Sequence, residues 1–427
     1  MVYMIILTVL LTNIFSSFAV TIDDLIEDAY KEVRKEKSED SFNLALKAFN
    51  EGIFSVAVKE GKKYLKLHRK KDIKRDIIIE MIAVSYYRMY RRKELFDHLI
   101  WADRQNISRD IKLKIFQLAN NLFVEKKDRR RLKIIKKRFS NLFRSSPPFF
   151  IHDERFKRFK PNINIFKLKY GNIIGENSLY RVKKNTTLIE IAKELDLGYD
   201  EIRVANPHID PFDVQKGMVV LIPRKRLLPE KEFNFGEIYL NLSEKRLYYP
   251  VIIDDDPYVI SIPVGIGTDE NRSPIGDFFI SEKRKNPAWY VPDNIKEEDP
   301  SLPDIVPPGP NNPLGTRAMR LSNTTYLLHG TSKRFGIGMK VSHGCIRMYN
   351  EDVEALFDLV ETGTKVHIYE KNYKIFKNRH VYIEIYELDR ESRKKLLDEL
   401  SQKGVLLNKN FISYLEKERR GYVIPLY

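Results

Sequence analysis

The chain contains very little cysteine: there is one such residue, Cys345, among 427. A disulfide within the chain is therefore impossible, and a zinc ribbon or an iron–sulfur cluster, each of which needs several thiolates, is excluded. Long apolar runs are also scarce, since only residues 1–19 form one. Apolar residues nevertheless make up 43% of the chain, which is enough to form packed cores in roughly two to four domains.

The chain is basic, and the positive charge is concentrated in its first part. Lys and Arg number 75 against 59 Asp and Glu; residues 1–177 carry a net charge of +16, whereas residues 226–371 carry −5. A basic surface can bind nucleic acid, an anionic membrane or an acidic polymer, or it can be a solvated helical face. No nucleic-acid recognition motif accompanies the charge, so we expect no nucleic-acid partner.

Residues 1–19 predict a signal peptide. They are almost wholly apolar, and Ser17-Phe18-Ala19 offers the small residues that precede signal-peptide cleavage. The first basic residue is Lys31, so the usual basic start is missing, and an uncleaved membrane anchor or a buried helix stays open. Whether the segment is a cleaved signal peptide or an uncleaved anchor, we expect export to the periplasm or cell envelope.

Residues 20–145 predict helices. Apolar residues recur at helical spacing on both sides of a turn near Gly52, and similar helix pairs follow at about 75–105 and 108–142. Three hairpins with a period of about 35–40 residues loosely resemble tetratricopeptide repeats, and a plain helical bundle is the alternative. Either arrangement offers surfaces to protein partners.

Residues 146–177 predict a linker, because proline and glycine interrupt any regular pattern there. Residues 178–224 then predict a small β-α-α-β module, with helices over 188–195 and about 200–205. Its characteristic residues are Tyr180, Val182, Thr187, Ile191-Ala192, Asn206-Pro207, Gly217 and Ile222-Pro223. With these residues the module resembles a LysM domain. The resemblance implies binding to the N-acetylglucosamine-containing glycan of peptidoglycan or chitin.

Residues 233–370 predict a mainly-β domain, followed by a C-terminal extension over 371–427. Short alternating runs separated by turn signals are typical of an antiparallel sandwich or barrel. Eight of the 20 prolines lie between Pro287 and Pro313, which is too many for a central strand. We therefore expect a stiff surface loop there that forms a lid or a wall of a binding site.

The only cysteine lies in the segment Ser342-His343-Gly344-Cys345-Ile346-Arg347, 16 residues after His329. A thiolate is a nucleophile, and an imidazole can take the proton of a thiol, so His329 is the candidate base. The N–H groups around Gly344 and Cys345 could form an oxyanion hole, and Arg347 could pair with a carboxylate. No acidic residue lies between His329 and Cys345, so the carbonyl of Gly330 is the candidate to orient the imidazole.

The residues alone leave two other interpretations open. A lone cysteine is most often a buried, small apolar residue. His329, His343 and Cys345 could also ligate zinc, although no Asp or Glu lies near them in the sequence to support such a site.

The region from about 235 to 370 resembles the catalytic core of L,D-transpeptidases of the YkuD type, and the preceding module makes the arrangement similar to the ErfK/YbiS group. The matching motifs are His329-Gly330-Thr331, Ser342–Met348, Val264-Gly265, Ser273-Pro274-Ile275-Gly276, Phe278, Asn286-Pro287-Ala288-Trp289, Pro307-Pro308-Gly309-Pro310 and Asn312-Pro313-Leu314-Gly315. The family more often has Thr where Ser273 stands.

The resemblance implies an enzyme of peptidoglycan that needs no cofactor or metal. Cys345 would attack the bond between meso-diaminopimelate (or an equivalent) and the terminal D-Ala of a tetrapeptide stem, with His329 as base. An amine of another stem or of an outer-membrane lipoprotein would then take the stem from the thioester, while Ser342, His343 and Arg347 shape the site and hold the donor. The alternatives are a hydrolase that uses the same acyl-enzyme, either an L,D-carboxypeptidase or an enzyme that releases lipoprotein, and a non-catalytic scaffold that binds the wall.

Overall fold

The computed structural model describes residues 22–144, 147–168, 172–229, 233–333 and 335–426. The described chain divides into a helical unit, which comprises residues 22–138 together with Leu407–Tyr414, and a β-rich unit, which comprises the described residues of Phe139–Leu406 and Leu415–Leu426. The predicted signal over residues 1–19 lies outside the described residues. Within the described ranges we find no helix with both the length and the hydropathy of a membrane span.

The helical unit contains three consecutive helical hairpins among its described residues. Their helices are α1 (Ile22–Asn50), α2 (Phe54–Leu67), α3 (Ile73–Arg88), α4 (Arg92–Asp103), α5 (Arg109–Glu125) and α6 (Arg129–Arg138). Gly52 makes the first turn with a positive φ of 79°. Asp72 and Ser108 cap α3 and α5 by accepting a hydrogen bond from a backbone N–H of the first turn. The predicted helical region is therefore confirmed, and the tetratricopeptide-like assignment stays a prediction.

The C-terminal residues 407–414 complete the core of the helical unit. The ring of Phe411 lies 5.9 Å from that of Phe42, and the ring of Tyr414 lies 5.1 Å from that of Phe49. The hydroxyl of Tyr414 donates a hydrogen bond of 3.1 Å to the buried carboxylate of Glu80. The sequence pattern does not predict this pairing, because the partners lie more than 300 positions apart.

The β-rich unit holds twenty strands among its described residues. They are β1 (Ile165–Lys167), β2 (Ile173–Ile174), β3 (Ser178–Arg181), β4 (Val219–Ile222), β5 (Arg226–Leu227), β6 (Ile238–Asn241), β7 (Arg246–Ile253), β8 (Asp256–Pro263), β9 (Ile266–Gly267), β10 (Gly276–Lys285), β11 (Trp289–Tyr290), β12 (Ile305–Val306), β13 (Arg317–Leu321), β14 (Leu327–His329), β15 (Lys340–Ser342), β16 (Ile346–Arg347), β17 (Lys365–Tyr369), β18 (Tyr373–Lys377), β19 (Val381–Ile385) and β20 (Ile424–Leu426). Its helices are α7 (Leu188–Glu194), α8 (Tyr199–Ala205), α9 (Asp293–Glu298), α10 (Asn350–Leu359) and α11 (Arg390–Gln402). The last helix of the described chain, α12 (Lys409–Glu418), belongs to the helical unit as far as Tyr414.

Nine of these strands form one sheet in the order β1-β8-β7-β6-β17-β10-β13-β14-β16. The mainly-β prediction is confirmed, but the sheet is mixed rather than antiparallel, since β6 pairs in parallel with β17 and β14 in parallel with β16. Parallel pairs need long connections: residues 330–345, which include β15, join β14 to β16, and residues 242–364 lie between β6 and β17.

The segment predicted as a linker is built into the β-rich unit where it is described. Its strand β1 pairs with β8 at the edge of the large sheet, from Ile165↔Ile260 to Lys167↔Tyr258. Phe156, Phe159 and Ile165 are buried in the core of that sheet. The prolines shorten the regular structure in this segment, but its apolar side chains still anchor it to the core.

The module after this segment has two paired strands, β3 and β4, separated by α7 and α8. Thr187 caps α7 by accepting a hydrogen bond from the N–H of Glu190. The side chain of Asn206 joins the end of α8 to β4, because its amide donates to the carbonyl of Ile202 and exchanges two hydrogen bonds with Leu221. The LysM assignment of this β-α-α-β module stays a prediction.

Candidate active site

Three neighbouring strands place the candidate catalytic side chains on one face of the large sheet. His329 in β14 pairs with Ala318 of β13 on one side and with Arg347 of β16 on the other. Residues that lie opposite one another in a sheet share a face, and successive residues alternate between faces. Cys345, two residues before Arg347, therefore lies on the face of His329.

The other face of the same strands packs into the core beneath α10. The residues between those of the site are fully buried: Met319, Leu328 and Ile346. Val353, Leu356 and Phe357 of α10 belong to the same cluster of buried side chains. The packed face thus fixes the strand register, and the register in turn fixes which side chains face the site.

Gly344 allows the chain to turn immediately before Cys345. Its φ is 97°, a conformation that residues with a side chain rarely adopt, and a Cβ atom there would lie 2.5 Å from a ring carbon of Tyr326. Only glycine fits this position without displacement of the aromatic ring.

His329 is buried and hydrogen-bonded through its ring. Its Nδ1 lies 2.6 Å from the carbonyl oxygen of Gly330, so Nδ1 carries the proton and donates it, which leaves Nε2 as the nitrogen that can accept one. Burial, followed by the positive charge of Arg347, lowers the pKa of His329 to about 4, against the opposite effect of the carbonyls of Gly330 and Leu314. The imidazole is therefore neutral at neutral pH.

Asn350, the first residue of α10, holds the backbone that follows His329. Its Oδ1 accepts hydrogen bonds from the N–H groups of Thr331 (3.1 Å) and Thr316 (3.4 Å), and its Nδ2 donates to the carbonyl of Thr331 (3.0 Å). A Cβ atom at Gly330 would lie 2.2 Å from this Oδ1. Gly330 therefore leaves the space that the Asn350 amide occupies.

Cys345 is partly buried, and the backbone N–H of Leu327 lies within hydrogen-bonding distance of its sulfur. Burial raises the pKa of the thiol above its ordinary value, against the smaller opposite effects of Leu327 and of the charges of Arg347 and Arg320. Within the described part of the chain no hydrogen bond joins the thiol to His329. The resting site thus holds a neutral thiol and a neutral imidazole.

The three other residues predicted for the site have separate positions. Ser342 is buried, and its hydroxyl donates to the carbonyl of Cys345 at 2.5 Å, so it shapes the backbone of the turn. His343 faces the cavity beside Cys345, with its Nε2 2.9 Å from a carboxylate oxygen of Glu298. Arg347 lies next to His329 in the sheet.

Cys345 opens into a cavity of about 520 Å³. The proline-rich segment supplies one wall of it, through Pro287, Ala288, Trp289, Tyr290, Pro292 and Ile295. Asn312 fastens this segment, because its buried amide donates to the carbonyls of Pro287, Val306 and Pro307 at 2.9–3.1 Å. The segment thus contributes a wall to the site, with a short helix and a two-stranded ribbon in place of an extended loop.

The structure gives the zinc interpretation no support. Among the described residues no group of three or more His, Cys, Asp or Glu side chains is arranged to hold a metal ion.

Sequence reasoning missed several polar residues of the site. Glu282 and Arg284 of β10 and Arg320 of β13 line the cavity with Cys345. In the sequence, Glu282 and Arg284 belong to the charged stretch 282–285, which is typical of a solvent-exposed segment and does not indicate a role in a site. Asn350 has no local signal of its role, since its backbone partners lie 19 and 34 positions away.

Known proteins resemble this chain chiefly over the region of the large sheet and its cavity. Residues 236–368 match the family model YkuD, described as the L,D-transpeptidase catalytic domain. YcfS of Escherichia coli (strain K12) is 39% identical over 207 residues, which cover 46% of this chain and 63% of that protein. The chain thus spans slightly less than two thirds of the length of YcfS.

Two further relatives are covered more fully. ErfK/SrfK of Salmonella typhimurium (strain LT2) is 33% identical over 211 residues, which cover 48% of this chain and 67% of that protein. YkuD of Bacillus licheniformis is 30% identical over 190 residues, which cover 44% of this chain and 98% of that protein. All three relatives carry the name L,D-transpeptidase.

Proposed function

Because the chain belongs to the YkuD family of L,D-transpeptidases, we propose that it is itself a peptidoglycan L,D-transpeptidase that uses Cys345 as nucleophile. The observation that carries the proposal is the placement of Cys345 and His329 on one face of the sheet, with Cys345 open to a cavity large enough for a peptide. The neutral imidazole has its Nδ1–H fixed by the Gly330 carbonyl, so it is prepared to accept a proton at Nε2.

The first half of the reaction forms a thioester. Nε2 of His329 takes the proton of the Cys345 thiol as Sγ attacks the carbonyl carbon of the diaminopimelate–D-Ala bond of a tetrapeptide stem. The N–H groups around Gly344 and Cys345 stabilise the negative charge that develops on the carbonyl oxygen. The C–N bond then breaks, the proton passes from His329 to the leaving amine, and D-Ala departs.

The second half transfers the acyl group. An acceptor amine attacks the thioester carbonyl and gives its proton to Nε2 of His329, and Sγ leaves as the thiol when His329 returns the proton. The acceptor amine belongs to another stem peptide or to a lysine of a lipoprotein. Ser342 and His343 shape the entrance and Arg347 contributes positive charge to the binding of the donor.

The β-α-α-β module suits the same function. A glycan-binding LysM domain in the same chain as the catalytic cavity raises the local concentration of peptidoglycan around it. The function requires a location in the periplasm or cell envelope, and the apolar residues 1–19 supply a signal for export. The helices of the helical unit offer surfaces to partners within the envelope.

The deciding experiment is mass spectrometry of the products from purified protein and a disaccharide-tetrapeptide, with and without a lipoprotein C-terminal peptide. We expect cross-linked dimers with loss of D-Ala, and no product from Cys345→Ala. His152→Ala is the control, since His152 is exposed and does not line the cavity.

Tripeptide as the sole product would instead identify a hydrolase. Full activity in Cys345→Ala would refute the cysteine mechanism. A purified chain that binds peptidoglycan but forms neither product nor acyl-enzyme would be a wall-binding scaffold.

A further inference from the structure

Three charged side chains form a row on the wall of the cavity that holds Cys345. In the sheet, Glu282 of β10 lies opposite Arg320 of β13, and Arg284 lies opposite Ala318. Arg320 in turn pairs with Leu327, the residue beside the Cys345 thiol. The row therefore runs across the strands towards the nucleophile on the same face.

A β-bulge places this row on the face of the site. Ile280 pairs with Leu321 in the core, but the next pair is Glu282 with Arg320, so Ser281 is the additional residue. Without the bulge, residues 280 and 282 would point to the same face, and Glu282 would enter the apolar core. The bulge reverses the alternation at this point and turns Glu282 and Arg284 towards the cavity.

Glu282 holds the two guanidinium groups side by side. One carboxylate oxygen accepts a hydrogen bond from Nε of Arg284 at 2.5 Å, and the other accepts from Nε of Arg320 at 3.1 Å. A terminal nitrogen of Arg320 also donates to the carbonyl of Thr324 at 2.9 Å. The hydrogen bond from Arg284 is the largest influence on the pKa of Glu282 and lowers it, so the carboxylate is ionised and the row carries a net charge of +1.

The row retains donors for a ligand. Among the described residues, the hydrogen bonds given above use neither terminal nitrogen of Arg284 and only one terminal nitrogen of Arg320. The side chains of Arg284 and Arg320 are 48% and 34% exposed, so a ligand in the cavity can reach them. Two guanidinium groups on one carboxylate, with a net positive charge, suit a further carboxylate and disfavour an ammonium group.

We propose that Arg284 and Arg320 bind the free side-chain carboxylate of the diaminopimelate residue whose bond to D-Ala Cys345 attacks, and that Glu282 keeps the two guanidinium groups in place. This inference rests on the proposed function, which supplies the peptide. It assigns the chain a preference for stems whose diaminopimelate carboxylate is free over stems in which that group is an amide.

The test compares the two stems in the full-length protein. Tetrapeptide stems with a free or an amidated diaminopimelate carboxylate are assayed for D-Ala release, and their dissociation constants are measured with the Cys345→Ala variant. We expect the free stem to be preferred about 10- to 100-fold in kcat/KM and in binding, as for a hydrogen-bonded ion pair. Arg320→Gln and Arg284→Gln should each reduce the preference, because each weakens the binding of the free stem more than that of the amidated stem.

Lys285→Gln is the matched control, since it removes the same charge from the next residue of β10, which points to the opposite face. It should leave the preference unchanged. Equal losses on both stems in the arginine variants, or equal binding of both stems by Cys345→Ala, would overturn the proposal.

The two hypotheses fail separately. If the chain releases no D-Ala from either stem, the proposed function fails, and the binding measurement with Cys345→Ala still decides whether the row recognises a carboxylate.

Discussion

Cys345 and His329 are both held in their neutral forms by the protein around them. Burial is the first cause in each case: it raises the pKa of the thiol and lowers that of the imidazole. A resting thiolate–imidazolium pair would require the opposite shifts. The thiol therefore stays protonated until a substrate enters, and proton transfer to Nε2 accompanies the attack.

This arrangement predicts a slow and strongly pH-dependent alkylation of the cysteine. The reactive form towards iodoacetamide is the thiolate, whose fraction rises with pH until the pKa is passed. Because the pKa of Cys345 is raised, the alkylation rate should still be rising above about pH 9, beyond the ordinary thiol range of about 8.5. Since Cys345 is the only cysteine of the chain, the mass of the intact protein reports this one site.

A short cysteine peptide is the control for that measurement, and its rate should level off at lower pH. A rate for Cys345 that is already level near neutral pH would show a preformed thiolate and would contradict the neutral pair.

At the scale of strands and helices, local periodicity predicts individual elements but not their partners. Alternation predicts a strand over 247–253, and β7 is Arg246–Ile253. For β10, however, alternation predicts only 278–280, because the charged residues after Ile280 resemble a solvated stretch. The strand continues to Lys285, and its bulge depends on pairing with β13, some 40 residues away.

The same limit applies to the site. The residue types and spacing of His329 and Cys345 single them out, because the chain has only one cysteine and eight histidines. Arg320 and Asn350 are common types of residue that acquire a position in the site only through the parallel pairing of β14 with β16 and the packing of α10.

The β-α-α-β module packs on the loop that leads to Cys345. The N–H groups of Tyr199 and Asp200, in the first turn of α8, donate to the carbonyls of Ile337 (2.9 Å) and Gly338 (3.2 Å). The first N–H groups of a helix have no partner within it, so the loop satisfies donors that would otherwise need water. The module thereby constrains the backbone shortly before β15 and the nucleophile.

Gly338→Ala should disrupt this contact. Gly338 has a φ of 79°, and a Cβ atom there would lie 2.4 Å from the Cα of Gly198. Gly404→Ala is the matched control, since its φ is 82° and nothing lies within 4 Å of the added atom. The control should lower the free energy of unfolding by about 1–2 kcal/mol through backbone strain, and Gly338→Ala by a further ~1–3 kcal/mol through the clash.

The measurement is urea unfolding followed by the fluorescence of Trp289 in a Trp101→Phe background. The chain has two tryptophans, and this change leaves the one in the β-rich unit. Equal losses of free energy of unfolding in the two variants would show that the loop accommodates the added methyl group and that its contact with the module does not contribute to stability.

At the scale of the β-rich unit, buried charges join the module to the large sheet. Glu201 of α8 forms ion pairs with Arg226 of β5 and with Arg246 of β7, the latter at 2.8 Å. Removing one member of a buried ion pair leaves an uncompensated buried charge, which is strongly destabilising. Separation of the module from the sheet would expose such charges, so these pairs oppose independent motion of the module.

The C-terminal extension is tied to the same sheet in the same way. Lys374 of β18 lies 2.6 Å from a carboxylate oxygen of Glu244 and 3.6 Å from one of Glu384, and all three side chains are buried. Its Nζ also donates to the carbonyl of Leu227 at 2.7 Å. Residues 371–406 and 415–426 of the extension are therefore part of the β-rich unit.

One further buried contact between module and sheet depends on pH. Asp352, in the first turn of α10, lies against Asp196 at the end of α7, and Asp196 accepts a hydrogen bond of 2.6 Å from Asn164. Burial, and next the charge of Asp196, raises the pKa of Asp352 well above its ordinary value, although Arg246 acts in the opposite direction. The folded protein therefore keeps a proton on Asp352 that the unfolded chain releases above about pH 4.

Replacement of this carboxyl by an amide should make the stability less dependent on pH. A raised pKa in the folded state contributes stability below about pH 4 that is lost as the pH rises towards the raised value. Relative to the wild type, Asp352→Asn should therefore gain free energy of unfolding as the pH rises above about 4, because only the wild type loses the stability that the raised pKa of Asp352 contributes. Urea unfolding followed by Trp289 fluorescence measures the free energy of unfolding at each pH.

Glu351→Gln, at the exposed neighbouring residue, is the control and should follow the wild-type curve of free energy against pH. An Asp352→Asn curve parallel to that of the wild type would show that Asp352 is ionised in the folded protein.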